Sequence, residues 1–215
     1  MNWLSWLTDF VYPKNPRVIE LESLSTSTLL NLLPRSELQD SEHLSALFDY
    51  QHPIVKQLIW EVKYGGNRVL ADRLGEILYD FTMAELEERN IFQKFEQVIL
   101  VPTPISDKRR FERGWNQAEL LTSALKARDH GRHFKYLPRQ LAKIHHTESQ
   151  TKTAKKSERE HNLTNSMKVL NPLTVSGQYV VVIDDVLTTG STFAEARRAL
   201  KEAGAKKILC IAVAH

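Results

Sequence analysis

The chain has 215 residues, of which 42% are hydrophobic and 26% charged, and a net charge of +3. These values are typical of a globular protein with one large domain. The single cysteine, Cys210, excludes an intramolecular disulfide and a zinc site built from several cysteines. The opening ten residues are too short and too polar to span a bilayer and lack the features of a signal peptide, so we expect a cytoplasmic protein without a transmembrane segment.

The small net charge conceals an uneven distribution. Residues 1–50 hold three Lys or Arg against seven acids, whereas residues 101–161 hold fourteen Lys or Arg against seven acids and five of the eight histidines. A local excess of this size favours anionic ligands, either phosphates or nucleic acid.

The predicted elements become distinct only after Pro53. The first fifty residues give weak signals, and residues 1–52 are interpreted as an N-terminal appendage to a domain over 53–215. Apolar residues at helical spacing predict one helix that ends at Gly65-Gly66 and a second one soon after it. The apolar run 97–101, which Pro102 stops, predicts a buried strand.

The second half of the chain alternates helix, strand and loop. A helix is predicted to begin at Asn116, and a brief strand is predicted over 135–137. Residues 143–162 contain almost no apolar side chain, so we expect a charged, flexible loop there. The C-terminal part, 179–213, shows strand, helix and strand in the order of a right-handed βαβ unit with parallel strands.

Two adjacent carboxylates, Asp184 and Asp185, follow the apolar run of the first C-terminal strand. In an open parallel sheet, ligands bind beyond the carboxyl ends of the strands. Partly buried carboxylates that repel each other need a partner, and a vicinal ribose diol can donate a hydrogen bond to each. Hydrated Mg²⁺, held by the two acids indirectly through water or sugar hydroxyls, would neutralise the remaining charge.

Hydroxyl side chains surround a glycine directly downstream, in the order Thr188, Thr189, Gly190, Ser191 and Thr192. Gly190 lets the backbone curl closely, and the segment opens into a helix N-terminus whose N–H groups and dipole favour a phosphate. Each half has other uses, because acid pairs follow strands in receiver domains and a Thr/Ser-rich turn can be a simple helix cap. The two halves together favour recognition of ribose 5-phosphate.

A longer set of motifs resembles the ComF family of type I phosphoribosyltransferases. The set consists of Leu58–Gly66, Val101-Pro102-Thr103-Pro104, Arg109, Arg113-Gly114-Trp115-Asn116-Gln117-Ala118, Thr147-Glu148-Ser149-Gln150, Arg159, Asn162 and the 181–192 segment. The resemblance extends over about residues 54–215. It implies an α/β fold with a five-stranded parallel sheet flanked by helices, a smaller hood region, and phosphoribosyl pyrophosphate with Mg²⁺ as the ligand.

The resemblance also implies a role for each motif. Asp184 and Asp185 would bind the ribose hydroxyls, and residues 188–192 the 5-phosphate. Arg113 and Gly114 would meet the pyrophosphate. Arg109 could assist, since a guanidinium matches phosphate in two hydrogen bonds, although a solvated basic turn explains it equally well.

The loop over 143–162 lies where such folds keep a lid that excludes water. Its residues Ser149, Gln150 and Arg159 are candidates for that lid, with a solvated basic loop as the alternative. Many ComF-like proteins begin with a cysteine-based zinc ribbon, but this chain has no cysteine before Cys210. We therefore predict no structural zinc.

Three functions agree with these features. The first is an enzyme that transfers a phosphoribosyl group to or from a nucleobase-like acceptor. The second is a protein that handles single-stranded DNA in competence, and the third is a regulator that senses the sugar phosphate without turnover. Stacking aromatics would favour DNA, and the basic region 126–161 offers only Phe134 and Tyr136.

Overall fold

A sheet of five parallel strands forms the centre of the fold. The strands are β1 (Leu44–Phe48), β2 (Val98–Pro102), β3 (Phe134–Tyr136), β6 (Tyr179–Val186) and β7 (Lys207–Ala214), in the spatial order β1-β7-β6-β2-β3. The computed structural model describes residues 15–38, 43–144 and 165–215. The predicted α/β fold with a five-stranded parallel sheet is confirmed.

Helices cover both faces of this sheet. They are α1 (Pro16–Ser23), α2 (Thr26–Leu32), α3 (Pro53–Trp60), α4 (Arg68–Glu88), α5 (Asp107–Arg113), α6 (Gln117–Arg128) and α7 (Ser191–Glu202). A π-helical turn (Glu61–Gly65) extends α3, and a 3₁₀ turn (Pro172–Thr174) precedes β6. The short strands β4 (Leu141–Lys143) and β5 (Met167–Val169) form an antiparallel ribbon beside α7.

The edge strand β1 had no counterpart in the sequence-based expectations. It pairs in parallel with β7, with Leu44 opposite Cys210 and Phe48 opposite Ala214. The sheet therefore starts before residue 53. A strand of five residues at a sheet edge carries little periodic signal, because most of its stability comes from the neighbouring strand.

The sheet separates two apolar cores. On β6, Val181 and Ile183 pack with residues of α4 and α6, whereas Val180 and Val182 pack with residues of α7 and with the β4-β5 ribbon. Side chains alternate between the faces of a strand. The same alternation places consecutive residues farther along β6 on opposite faces of the sheet.

Helices α4 and α6 approach closely at Gly75. A Cβ atom added to Gly75 would lie 2.8 Å from the backbone carbon of Ala124 and 2.8 Å from the amide nitrogen of Leu125, and it would also collide with the Ala124 side chain. The contact joins two helices of the larger core, and α6 carries part of the site described below. In the part of the chain that the structure describes, no helix is both long and apolar enough to cross a membrane.

The Gly75→Ala variant is expected to be less stable than the wild type. Alanine favours a helix interior by about 1 kcal/mol over glycine, but overpacking typically costs about 1–3 kcal/mol, and here the obstacle includes backbone. Urea denaturation should therefore show a lower midpoint. Asp72→Ala, at an exposed position of the same helix, is the control and should be neutral or slightly stabilising. Equal or greater stability of Gly75→Ala would contradict the packing described here.

Candidate functional site

Two buried carboxylates lie at the carboxyl end of the central strand. The prediction placed Asp184 and Asp185 just after the strand, but β6 continues to Val186 and includes both. Their exposed fractions are 7% and 5%. Because side chains alternate on a strand, Asp184 belongs to the α7 face and Asp185 to the face of α3 and α6.

Asp184 lies in an environment that favours its protonated form. Its Oδ1 accepts a hydrogen bond from the amide of Asp185 (2.9 Å), and the buried Thr103 at the end of β2 donates another. Burial and the negative charge of Asp185 raise the pKa of Asp184 well above its ordinary value, more than these hydrogen bonds lower it.

Asp185 has one carboxylate oxygen that lacks a hydrogen-bond donor among the described residues. Its Oδ1 accepts from Gln117 Nε2 at 3.5 Å, while Lys63 Nζ lies 3.6 Å from Oδ2. Oδ2 is buried and makes no hydrogen bond within the described residues. Leaving a buried acceptor unsatisfied costs about 1–3 kcal/mol, more for a charged group. A ligand hydroxyl would remove this cost.

The π-helical turn after α3 brings Lys63 to Asp185. A π turn holds one more residue than an α turn and so changes the direction of the side chains that follow. The turn is anchored by Trp115, whose Nε1 donates to the carbonyl of Val62 (3.1 Å). The Trp115 ring also packs against Gly66, where a Cβ atom would approach the indole to 3.0 Å.

Arg113 is connected to Asp185 through one intervening side chain. Its Nη1 donates to Gln117 Oε1 (3.2 Å), and its guanidinium lies 4.8 Å from the centre of the Tyr64 ring. Gly114 ends α5 with a φ of +81°, and a Cβ atom there would meet nothing within 4 Å. Gly114 is thus required for the left-handed backbone conformation, not for space.

Arg109 and Lys143 add positive charge near Asp184. Arg109 lies on α5, which Ser106 caps, and its side chain is exposed, as the alternative of a solvated basic segment also predicts. Burial and the nearby charge of Arg109 lower the pKa of Lys143, and Asp184 opposes this shift. Lys143 therefore experiences the charges of both Arg109 and Asp184. The neighbouring Arg110 is already paired with Glu119.

The hydroxyl-rich segment forms the turn between β6 and α7. Gly190 is the N-cap of α7 with a φ of +75°, and the helix begins at Ser191. The hydroxyls of Thr189 and Ser191 lie 2.9 Å apart, and Thr188 and Thr189 are exposed. Thr192 follows in the first helical turn, so all five predicted residues surround one helix N-terminus.

The structure thus gathers most of the predicted site residues at one sheet edge and adds others. The lid candidates Ser149, Gln150 and Arg159 lie outside the described residues. Sequence reasoning gave no role to Lys63, Thr103, Gln117 or Lys143. Three of these were within the quoted motifs, and Lys143 begins the charged loop, but nothing in the sequence alone indicated which side chain would face the carboxylates.

Comparison with known proteins agrees with the geometry of this edge. A family model for the phosphoribosyl transferase domain matches residues 132–215, which include both carboxylates and the α7 N-terminus. DNA utilization protein YhgH of Escherichia coli O6:H1 is 28% identical over 167 residues, covering 78% of this chain and 69% of that protein. Competence protein ComFC of Bacillus subtilis is 33% identical over 106 residues, covering 49% and 39%.

The chain is similar to these relatives, which supports its resemblance to the ComF family. Its fold is that of the type I phosphoribosyltransferases. Among solved structures, a glutamine phosphoribosylpyrophosphate amidotransferase from B. subtilis is similar, with a TM-score of 0.42 and 15% identity over 72% of this chain and 30% of that one.

The raised pKa of Asp184 predicts that this residue destabilises the fold at neutral pH. A group whose folded pKa is raised stabilises the fold only while it is protonated, and this contribution is lost as pH rises through the folded pKa. We expect Asp184→Asn to raise the melting temperature at pH 7, by about 2–4 °C per kcal/mol gained. At a pH below the ordinary pKa of an aspartate, the wild type and Asp184→Asn should have the same melting temperature.

Asp129 is a buried aspartate that should respond in the opposite way. Burial alone would raise its pKa, but hydrogen bonds from Lys126, His133 and Phe134 outweigh burial and lower it. Asp129→Asn should therefore lower the melting temperature at pH 7. If both substitutions lower the melting temperature equally, the prediction that the two sites shift the aspartate pKa in opposite directions is wrong.

Proposed function

We propose that this protein binds phosphoribosyl pyrophosphate with Mg²⁺ and transfers the phosphoribosyl group to or from a nucleobase-like acceptor, in the cytoplasm. The observation that carries the proposal is the buried Asp185 Oδ2, which has no hydrogen-bond donor within the described residues. It lies beside Asp184 on the strand that leads into the hydroxyl-rich start of α7. The combination suits a sugar that presents a diol and a phosphate.

The described side chains match the parts of this ligand. The ribose O2 and O3 hydroxyls would donate to Asp184 and Asp185, and the 5-phosphate would bind at residues 188–192. The pyrophosphate would face the cations that surround the carboxylates. These are Lys63, Arg109, Arg113 and Lys143. Charge-assisted contacts of this kind are among the stronger hydrogen bonds in proteins.

The residues present suit Mg²⁺ that is held mainly by the ligand. Carboxylate oxygen is the donor type that Mg²⁺ prefers, and Asp184 and Asp185 supply it. Within the described ranges, no group of three or more His, Cys, Asp or Glu side chains could hold a metal ion. Most of the coordination would come from pyrophosphate and water. When bound, the ion would neutralise charge on the leaving pyrophosphate.

Transfer requires positioning and electrostatics and needs no covalent nucleophile. The bond between the anomeric carbon and the pyrophosphate oxygen breaks, and the acceptor forms a new bond to the carbon, through an oxocarbenium-like state. Lys63 and Arg113 would stabilise the negative charge on the departing pyrophosphate. The carboxylates hold the ribose ring and lie near the positive charge that develops on it.

Calorimetry with phosphoribosyl pyrophosphate and Mg²⁺ tests binding. The double variant Asp184→Asn with Asp185→Asn should bind at least tenfold more weakly, which corresponds to about 1.4 kcal/mol, because an amide replaces each carboxyl group that would accept from the diol. Removing Mg²⁺ with a chelator should also weaken binding by the wild type. Asp72→Asn with Asp80→Asn, two exposed acids on α4, is the control with the same change in charge.

No heat from the wild type would refute the central claim. If binding is observed, release of pyrophosphate in the presence of a panel of nucleobases separates an enzyme from a sensor. A binding protein that never releases pyrophosphate would be a sugar-phosphate-sensing regulator.

A second candidate function, the handling of single-stranded DNA, is favoured by a surface beside the same site. Trp60 and Tyr64 are 53% and 50% exposed, and their ring centres lie 5.6 Å apart. Arg113 and Lys63 flank the Tyr64 ring at 4.8 and 5.8 Å. Exposed rings among cations are what bases stack on in proteins that bind single strands. The relatives in E. coli and B. subtilis are named for DNA utilization and competence.

Loss of these rings should weaken binding to a short oligodeoxythymidine. Stacking contributes about 1–3 kcal/mol per base, so we expect Trp60→Ala with Tyr64→Ala to reduce affinity by roughly 5–150-fold per stacked base. Fluorescence anisotropy at fixed salt measures the change. Leu173→Ala, which removes an 88% exposed side chain elsewhere, is the control. Unchanged affinity in the aromatic variant would contradict this second function.

A further inference from the structure

A cluster of cations surrounds a cavity at the end of the sheet opposite the carboxylates. The cavity has a volume of about 280 Å³ and lies at the amino ends of β6 and β7. We call it the amino-edge cavity. Its cationic lining residues are Arg89, Arg197, Lys201, Lys206 and Lys207, and His43 also lines it.

This cavity is separate from the sugar-phosphate site. Tyr179 lines it at the start of β6, whereas Asp184 lies five residues farther along the strand. At about 3.3 Å per residue, the separation along β6 is roughly 16 Å. No residue assigned above to the ribose, phosphate or pyrophosphate lines the cavity.

Two of its cations lack an acidic partner on their own helix. Arg197 and Lys201 are four residues apart on α7 and so share one face. The helix has two acids, Glu195 and Glu202, and both pair with Arg198 on another face, at 2.7 and 2.6 Å. Arg197 Nε is buried and has no hydrogen-bond partner within the described residues.

The remaining cations add to this excess. Lys206 lies just before β7 and Lys207 is its first residue, and Lys206 lies 5.5 Å from the centre of the Phe95 ring. Arg89 is ion-paired with the buried Glu85, at 2.7 Å. None of the described residues that line the cavity carries a carboxylate. Four cations therefore converge there, and no acid among the described residues lines the cavity with them.

We propose that the amino-edge cavity binds a small phosphorylated ligand that carries at least two phosphate groups. A ligand with a single negative charge would leave most of the repulsion among the four cations uncompensated. The cavity volume suits a group of the size of pyrophosphate. Arginine can bind phosphate with two hydrogen bonds, and lysine supplies point charges around it. Helix α7 begins at the hydroxyl-rich turn and reaches the cavity near its other end, so one rigid element contacts both sites.

The test measures binding of inorganic pyrophosphate by calorimetry at fixed salt. The background is Lys63→Ala with Arg113→Ala, which weakens the pyrophosphate contacts proposed at the carboxyl edge, so the remaining binding reports on the cavity. Adding Arg197→Gln with Lys201→Gln should weaken this binding at least tenfold. Lys135→Gln with Arg139→Gln, an exposed pair outside the cavity, removes the same charge and should have little effect.

A second double variant distinguishes loss of binding from loss of folding. Lys206→Gln with Lys207→Gln changes two exposed side chains at the start of β7 and should also weaken binding at least tenfold, with an unchanged melting temperature. Equal binding by the cavity variants and the control pair would overturn the proposal. It would also be overturned if only an oligonucleotide bound, or if the cavity variants lost stability without a change in pyrophosphate affinity.

Discussion

The burial of two carboxylates on β6 is the constraint around which the site is arranged. The strand is hydrogen-bonded on both edges and covered on both faces, so the charges of Asp184 and Asp185 are largely removed from water. Such a pair is stable only if neighbouring groups compensate it. Because side chains alternate along the strand, Asp184 and Asp185 lie on opposite faces of the sheet. Each acid is therefore compensated by a different group of neighbours.

The compensating groups come from separate parts of the chain. Lys63 comes from the π-helical turn, and Gln117 from the first turn of α6. Thr103 follows β2 and Lys143 ends β4. Both interact with Asp184, Thr103 by a hydrogen bond and Lys143 through its charge. Among the described residues, one oxygen of Asp185 remains without a hydrogen-bond donor. Under the proposed function, a ribose hydroxyl would supply the donor that this oxygen lacks.

The local part of this site could be predicted from the sequence, and the rest could not. Asp184 and the turn at Gly190 are close in the chain, and their chemistry follows from the end of a strand and the start of a helix. The approach of Lys63 depends on a π turn and on packing against Trp115, which no periodic pattern encodes. Strand β1 is likewise defined by its pairing with β7 and not by its own five residues.

The contact between Trp115 and the π-helical turn makes two distant motifs a single unit. The indole is hydrogen-bonded to Val62 and lies against Gly66, a residue whose positive φ and lack of a Cβ leave the space that the ring occupies. A larger residue at position 66 would require a smaller ring at position 115, and a smaller ring would release the turn that holds Lys63. Positions 66 and 115 are therefore expected to vary together among relatives. The pair of residues found there would indicate whether the lysine at position 63 can approach the carboxylates.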